Sequence, residues 1–123
     1  AQHRFMKILS IHLSVEQLDA VTQLLKTGKL VTHLYQAENI SEACAQIQKD
    51  DYALVLYQLD PKFDHSDLDT LVGLTLISTR IIVLGEVAQT APCQGWQDLG
   101  VTFLASPDCK ILTKELQLTL QNY

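Results

Sequence analysis

The sequence predicts an α/β domain, a three-layer (βα)5 sandwich in which one five-stranded parallel sheet lies between helices. Short β-branched runs alternate with segments of helical period along the whole chain. Two of those runs, around Leu54 and Ile82, have no polar alternation, as expected of strands buried on both faces. A helical segment stands between each pair of successive strands, so the strands are parallel and the crossovers right-handed. At 123 residues the chain is one domain, 1–123, large enough to bury a core without disulfides or metal.

Each element follows from local chemistry. "MKILSI", from Met6 to Ile11, is the first strand. Ser14 opens the first helix, with Gln17 completing a capping box and Val15, Leu18, Val21, Leu24 and Leu25 as its apolar stripe. Gly28 closes it. Leu30 to Tyr35 is the second strand, and its mixed polarity suits an edge. Asn39 and Ser41 both offer caps for a second helix with Ile40, Ala43, Cys44 and Ile47 on one face. Tyr52 to Tyr57 is the third strand. Ser66, with Asp69 three residues on, starts a third helix bearing Leu68, Leu71, Val72 and Thr75. Arg80 to Gly85 is the fourth strand. Pro92 fits the first turn of a short fourth helix that carries Trp96 and Leu99 and stops at Gly100. Val101 to Ala105 is the fifth strand, and Leu112, Leu116 and Leu120 mark the last helix. The order 2-1-3-4-5 leaves the polar second strand outermost, a flavodoxin-like arrangement.

Composition bounds the function. Nine Lys and Arg against fourteen Asp and Glu give a net charge of −5, so no basic stripe is available for nucleic-acid phosphates. No apolar run approaches the roughly 20 residues that cross a bilayer, and no export signal opens the chain. Residues 1–5 read as a disordered leader, and the start at Ala1 reads as an excised piece. The three cysteines form no Cys-x-x-Cys pair and are expected as ordinary thiols of a cytoplasmic protein, with no cofactor and no metal.

In an open parallel sheet the site lies beyond the carboxyl ends of the strands. There the chain offers His12 and Leu13, then Tyr57 and Gln58, then Gly85 and Glu86, then Ser106 and Pro107. Together "MKILSI", "YALVLYQLDP", "RIIVLGE" and "GVTFLASP" resemble the receiver domains of two-component response regulators from Met6 to Gln121. In that family an acidic pair follows strand one, and a phospho-accepting Asp ends strand three. A Thr or Ser follows strand four and a Lys-Pro follows strand five. The resemblance carries these roles onto His12 and Leu13, onto Gln58 (or Tyr57, if Pro61 anchors the alignment), onto Gly85 and onto Ser106. Lys110 is the nearest downstream substitute for the missing lysine. Mg²⁺ wants carboxylate oxygens that His12 and Leu13 lack, a Gln58 amide is not an anion and cannot attack phosphorus, Gly85 has no hydroxyl, and Ser106 carries no positive charge.

The resemblance narrows to pseudo-receivers, most of all that of the cyanobacterial circadian input kinase, through the Ser-Pro step and the last helix "LQLTLQN". It implies a non-enzymatic docking module of a sensor histidine kinase, with the clock protein KaiB as partner and a quinone as a redox cue. Two other readings remain: a small-ligand module using the crevice beyond strands one and three, and an atypical phosphorylatable receiver.

His12 reads as a polar loop residue, since no second ligand stands at metal spacing beside it. Asp60 and Glu86 read as solvated carboxylates, and Ser14 as a cap. The second strand is more informative. Leu30, Val31, Thr32, His33, Leu34 and Tyr35 carry no full charge and no proline, so their backbone is open to strand addition. Val31, His33 and Tyr35 are expected on one side, with Glu16, Asp19 and Gln23 of the first helix alongside. The loop Phe63-Asp64-His65 with Trp96 is the competing surface. The isolated domain is expected to be a monomer.

Overall fold

The computed structural model describes residues 5–27, 31–59, 65–74, 79–85, 101–104 and 109–121. Five strands, β1 (Phe5–Ile11), β2 (Val31–Ala37), β3 (Leu54–Gln58), β4 (Arg80–Leu84) and β5 (Val101–Leu104), form one parallel sheet in the order β2-β1-β3-β4-β5. The described helices are α1 (Val15–Thr27), α2 (Ile40–Lys49), α3 (His65–Leu74) and α4 (Cys109–Gln121). Phe5, counted with the expected leader, instead opens β1 and pairs with Val31. Residues 1–4, Gly28, Leu30 and the helix expected around Pro92 and Trp96 lie outside the described residues.

Period-two alternation sorts the core into two layers. Leu9, Ile11, Val55, Tyr57, Ile81, Val83 and Val101 point to the side that α2 and α3 cover, where they meet Ala43, Ile40, Ile47, Leu71 and Val72. Ile8, Leu54, Leu56, Ile82, Leu84 and Leu104 point to the other side and meet Val21, Leu24 and Leu25 of α1 and Leu112 and Leu116 of α4. In β3 and β4 both sets are buried, which is why the sequence there shows no polar alternation.

Several elements depart from the sequence reading. β2 runs two residues further, to Ala37, because it pairs with β1 along all seven rungs from Phe5↔Val31 to Ile11↔Ala37. β3 begins at Leu54. Before it, Ala53 N–H donates to the Lys7 carbonyl and Thr79 Oγ1 to the Tyr52 carbonyl, so Tyr52 is a buried anchor ahead of the ladder. Asn39, not Ser41, caps α2: its Oδ1 accepts from Glu42 N–H at 2.8 Å. α3 begins at His65, one residue before Ser66. Val15 leaves the apolar stripe of α1. As the first helical residue it lies ahead of the turn that packs on the sheet, and it is 74% exposed.

A polar cluster ties the amino-terminal ends of β1 and β3 together. Lys7 Nζ lies 3.0 Å from Asp50 and 5.9 Å from the Tyr35 ring centroid, and Tyr35 meets Tyr52 edge-on at 5.9 Å. Tyr52 in turn donates its hydroxyl to Gln46 Oε1. The hydrogen bond and charge of Asp50 raise the Lys7 ammonium above its ordinary range, while burial, then Asp50, raises the Tyr52 phenol.

Two stability predictions follow from these packings. Leu56→Ala should cost about 2–4 kcal/mol and Val83→Ala less, read from chemical denaturation midpoints, because each opens a cavity between a helix layer and the sheet. The second concerns alkali. Both Lys7 and Tyr52 hold their protons more tightly folded than unfolded, so stability is complete below their ordinary values of 10.5 and 10.0 and falls as pH rises through and above them. Thermal midpoints of the wild type should hold up to about pH 10 and drop above it, and Lys7→Met should flatten that drop.

Candidate functional site

The carboxyl ends of the strands meet in two successive rungs, Ile11↔Tyr57↔Val83 and then Gln58↔Leu84↔Leu104. Beyond Ile11 the chain must turn from the sheet into α1. It does so at His12, whose φ of 62° lies in the left-handed region. That conformation costs a non-glycine residue roughly 1–2 kcal/mol, and histidine is among the residues that adopt it most readily. The turn sends His12 into solvent, its ring 6.4 Å from that of Tyr57, and sends Leu13 inward against the core under α1 and α4. The two positions matched to an acidic pair therefore diverge.

The turn ends in a capping box of the expected kind. Gln17 N–H donates to Ser14 Oγ at 3.1 Å, and Ser14 N–H donates to Gln17 Oε1 at 2.9 Å. The rest of the Gln17 amide does something the sequence reading did not foresee. Its Nε2 crosses to the sheet and donates to Gln58 Oε1 at 2.9 Å. Gln58 Nε2 donates in turn to the carbonyls of Leu84 at 3.2 Å and Leu59 at 3.3 Å. A directed chain of neutral amides thus runs from the Ser14 N–H through Gln17 and Gln58 to the end of β4. Gln17 is 3% exposed, and burial makes each of these bonds costly to lose. The available signal was a capping-box Gln in place of Glu, together with an amide at the end of an apolar strand.

Tyr57 and Gln58, the two candidates for the acceptor position, point to opposite faces. Tyr57 is buried in the layer beneath α2 and α3, whereas Gln58 reaches toward α1. Gly85 is buried, and its N–H is taken by the Leu104 carbonyl at 3.1 Å. Lys110 lies exposed in the first turn of α4. Ser106, Asp60 and Glu86 lie outside the described residues. Among the described residues no three His, Cys, Asp or Glu side chains gather in a metal-binding group.

A cleft of about 240 Å³ opens between the ends of β1 and β2, lined by Ser10, His12, Leu13, Leu18, Gln36, Ala37 and Glu38. It lies one strand away from the β1–β3 crevice in which the sequence reading placed a small ligand.

β2 is the outer strand, as expected. His33 and Tyr35 share a side and stack at 6.4 Å with ring planes 27° apart. That side faces the α2 and α3 layer, because Tyr35 packs on Tyr52 and Ala37 joins the same core. Leu34 faces α1 instead. The polar residues Glu16, Asp19 and Gln23 are exposed on α1, but they lie across the sheet from the aromatic pair, so the two do not make one surface. Tyr52, far from Tyr35 in sequence, was missed as its support.

No protein-family model and no curated protein matches the chain. Solved structures do. The chemotaxis response regulator CheY4 of Vibrio cholerae superposes with a TM-score of 0.68 at 20% identity, over 94% of this chain and 99% of that one. The two-component transcriptional regulator AraC of Clostridium phytofermentans gives 0.70 at 15% identity, over 94% and 92%. The receiver domain of the hybrid histidine kinase CckA gives 0.63 at 19% identity, over 93% and 98%. The chain therefore has the CheY-like receiver fold of two-component signalling proteins.

The amide chain makes its own prediction. Gln17→Leu should cost about 1–3 kcal/mol by leaving the Ser14 N–H and the Gln58 carbonyl without partners. The double variant Gln17→Leu, Gln58→Leu should cost less than the sum of the two single changes, a coupling that a denaturation cycle measures directly.

Proposed function

We propose that this domain is a pseudo-receiver, a protein-docking module that keeps the receiver fold and does not take up phosphate. The observation that carries the reading is the Gln17–Gln58 amide bridge at the sheet end where phosphotransfer needs carboxylates. Mg²⁺ requires hard anionic oxygens, and an imidazole turned to solvent with a leucine turned inward supplies none. A carboxamide is no nucleophile toward phosphorus, and neither acceptor candidate carries an acid. With catalysis removed, what the fold offers is surface, and the uncharged outer strand β2 is the docking edge. The resemblance noted in the sequence points to KaiB as the partner and to a sensor histidine kinase as the parent protein, in the cytoplasm. A quinone cue on the same ground would use the β1–β2 cleft, whose mixed lining suits a ligand with polar edges.

Incubation with acetyl phosphate and Mg²⁺, followed by intact mass and amide shifts, tests the reading. The mass should stay unchanged, and Gln58→Asp alone should not restore uptake, because His12, Leu13 and Gly85 still lack the needed groups. A stable gain of one phosphoryl group by the wild type would overturn it. Titration with KaiB should perturb amides along β2; shifts confined to β5 and α4 would remove the edge from the proposal.

A further inference from the structure

The docking edge has a partner close at hand. We infer that β2 pairs antiparallel with β2 of a second copy of this chain, about a two-fold axis through Leu34, joining two five-stranded sheets into one. The inference rests on the edge-docking reading and adds the occupant.

The edge is long enough, and its sequence carries none of the residues that blunt one. Its seven residues, VTHLYQA, include no acidic, lysine or arginine side chain and no proline, and no described strand covers its outer side. An outer strand leaves half of its backbone N–H and C=O groups without ladder partners, and a second strand satisfies them. A closed pair of identical strands must be isologous, which in a single sheet means antiparallel. About Leu34, His33 of each copy then stands opposite Tyr35 of the other, and position 32 opposite Gln36.

This register matches what the edge presents. His33 and Tyr35 are both exposed on one side and already near-parallel at 6.4 Å. Tyr35 is held from beneath by the edge of Tyr52 and by Lys7, itself fixed by Asp50. Pairing gathers the two rings of each copy into a two-by-two cluster of four, with the His33–Tyr35 contact made twice across the axis. A slip of one residue would turn every side chain to the wrong face and break that cluster.

Charge selects the same arrangement. The chain approaches β2 from the end of α1, where Lys26 is exposed, and leaves it at exposed Glu38, with Glu42 in the first turn of α2. The two ends of the edge thus differ in sign. Antiparallel pairing brings the acidic end of each copy to the basic end of the other, twice, and sets no two like charges opposite each other along the strand.

The interface is small. A seven-residue strand buries less than the roughly 1,200 Å² of a standard stable complex, so the dimer is weak, with a Kd on the order of 0.1–1 mM, and dilute protein is monomeric. A foreign strand and a second copy occupy the same groups and exclude each other. Self-pairing therefore acts as a brake wherever the domain is concentrated.

Sedimentation of the whole chain from 10 μM to 1 mM should show the average mass rising from 13.8 kDa toward twice that value. A mixed sample of labelled and unlabelled chains should give intermolecular contacts between residues 33 and 35. The register is tested by charge. His33→Glu with Tyr35→Glu, and separately His33→Lys with Tyr35→Lys, should each stay monomeric at 1 mM, while their equimolar mixture pairs at least tenfold more tightly than wild type at low salt. Circular dichroism checks folding, and Gln36→Lys, which leaves the Tyr35 packing intact, should by itself weaken self-pairing severalfold. A monomer at 1 mM overturns the inference, as does a dimer whose shifts centre on the exposed Ile111 and Leu118 of α4. If the monomer still binds a foreign strand along β2, self-pairing falls and the docking reading stands; if neither binds, both fall.

Discussion

Two-sided burial of β3 and β4 is the constraint on which the rest of this molecule depends. A strand whose successive side chains are all buried needs a helix layer above and another below, and neither strand has a polar face to turn to water. The helices answer that need. α2 and α3 close one side over Val55, Tyr57, Ile81 and Val83, and α1 and α4 close the other over Leu54, Leu56, Ile82 and Leu84. β2 is the element that the constraint leaves over, with Leu34 and Ala37 turned toward the core and His33, Tyr35 and Gln36 exposed.

The same geometry sets the chemistry. Strand ends converge where the helices begin, so whatever stands at Gln58 must answer both to the end of β4 and to the first turn of α1. In this chain the answer is a neutral one. Gln17 completes the helix cap with its carbonyl oxygen and the bridge to the sheet with its amino group, and Gln58 passes the bond on to Leu84. A carboxylate at either position would lose the donor that makes the bridge directional. The local structure that stabilises the β1–α1 turn is thus also the structure that places two linked amides at the carboxyl ends of β3 and β4.

At the other end of the sheet, Lys7, Asp50, Tyr52 and Tyr35 make a second polar knot whose effect is outward. It fixes an aromatic ring on the outer strand in one orientation and leaves that ring partly exposed. An aromatic ring held by such neighbours on the outer strand loses little freedom on binding, which favours recognition.

The order of the described strands and helices, the parallel sheet, the outer place of β2 and the Ser14 capping box were all legible from the residues, because each rests on short-range periodicity or on a local hydrogen bond. So was the absence of acidic side chains at positions 12, 13, 57 and 58. Contacts between residues distant in the chain were not. Gln17 and Gln58 stand 41 residues apart, and no pattern of either segment requires that their amides meet. Tyr35 finds Tyr52 only because β1 carries Lys7 between them, and α1 lies across the sheet from His33 only because Leu34 faces it. Sequence by itself determined which of the described segments are strands and helices and where acidic side chains are absent. The tertiary structure alone decided which side chains fill the space, because that choice depends on sheet register and crossover side, quantities that no local segment encodes.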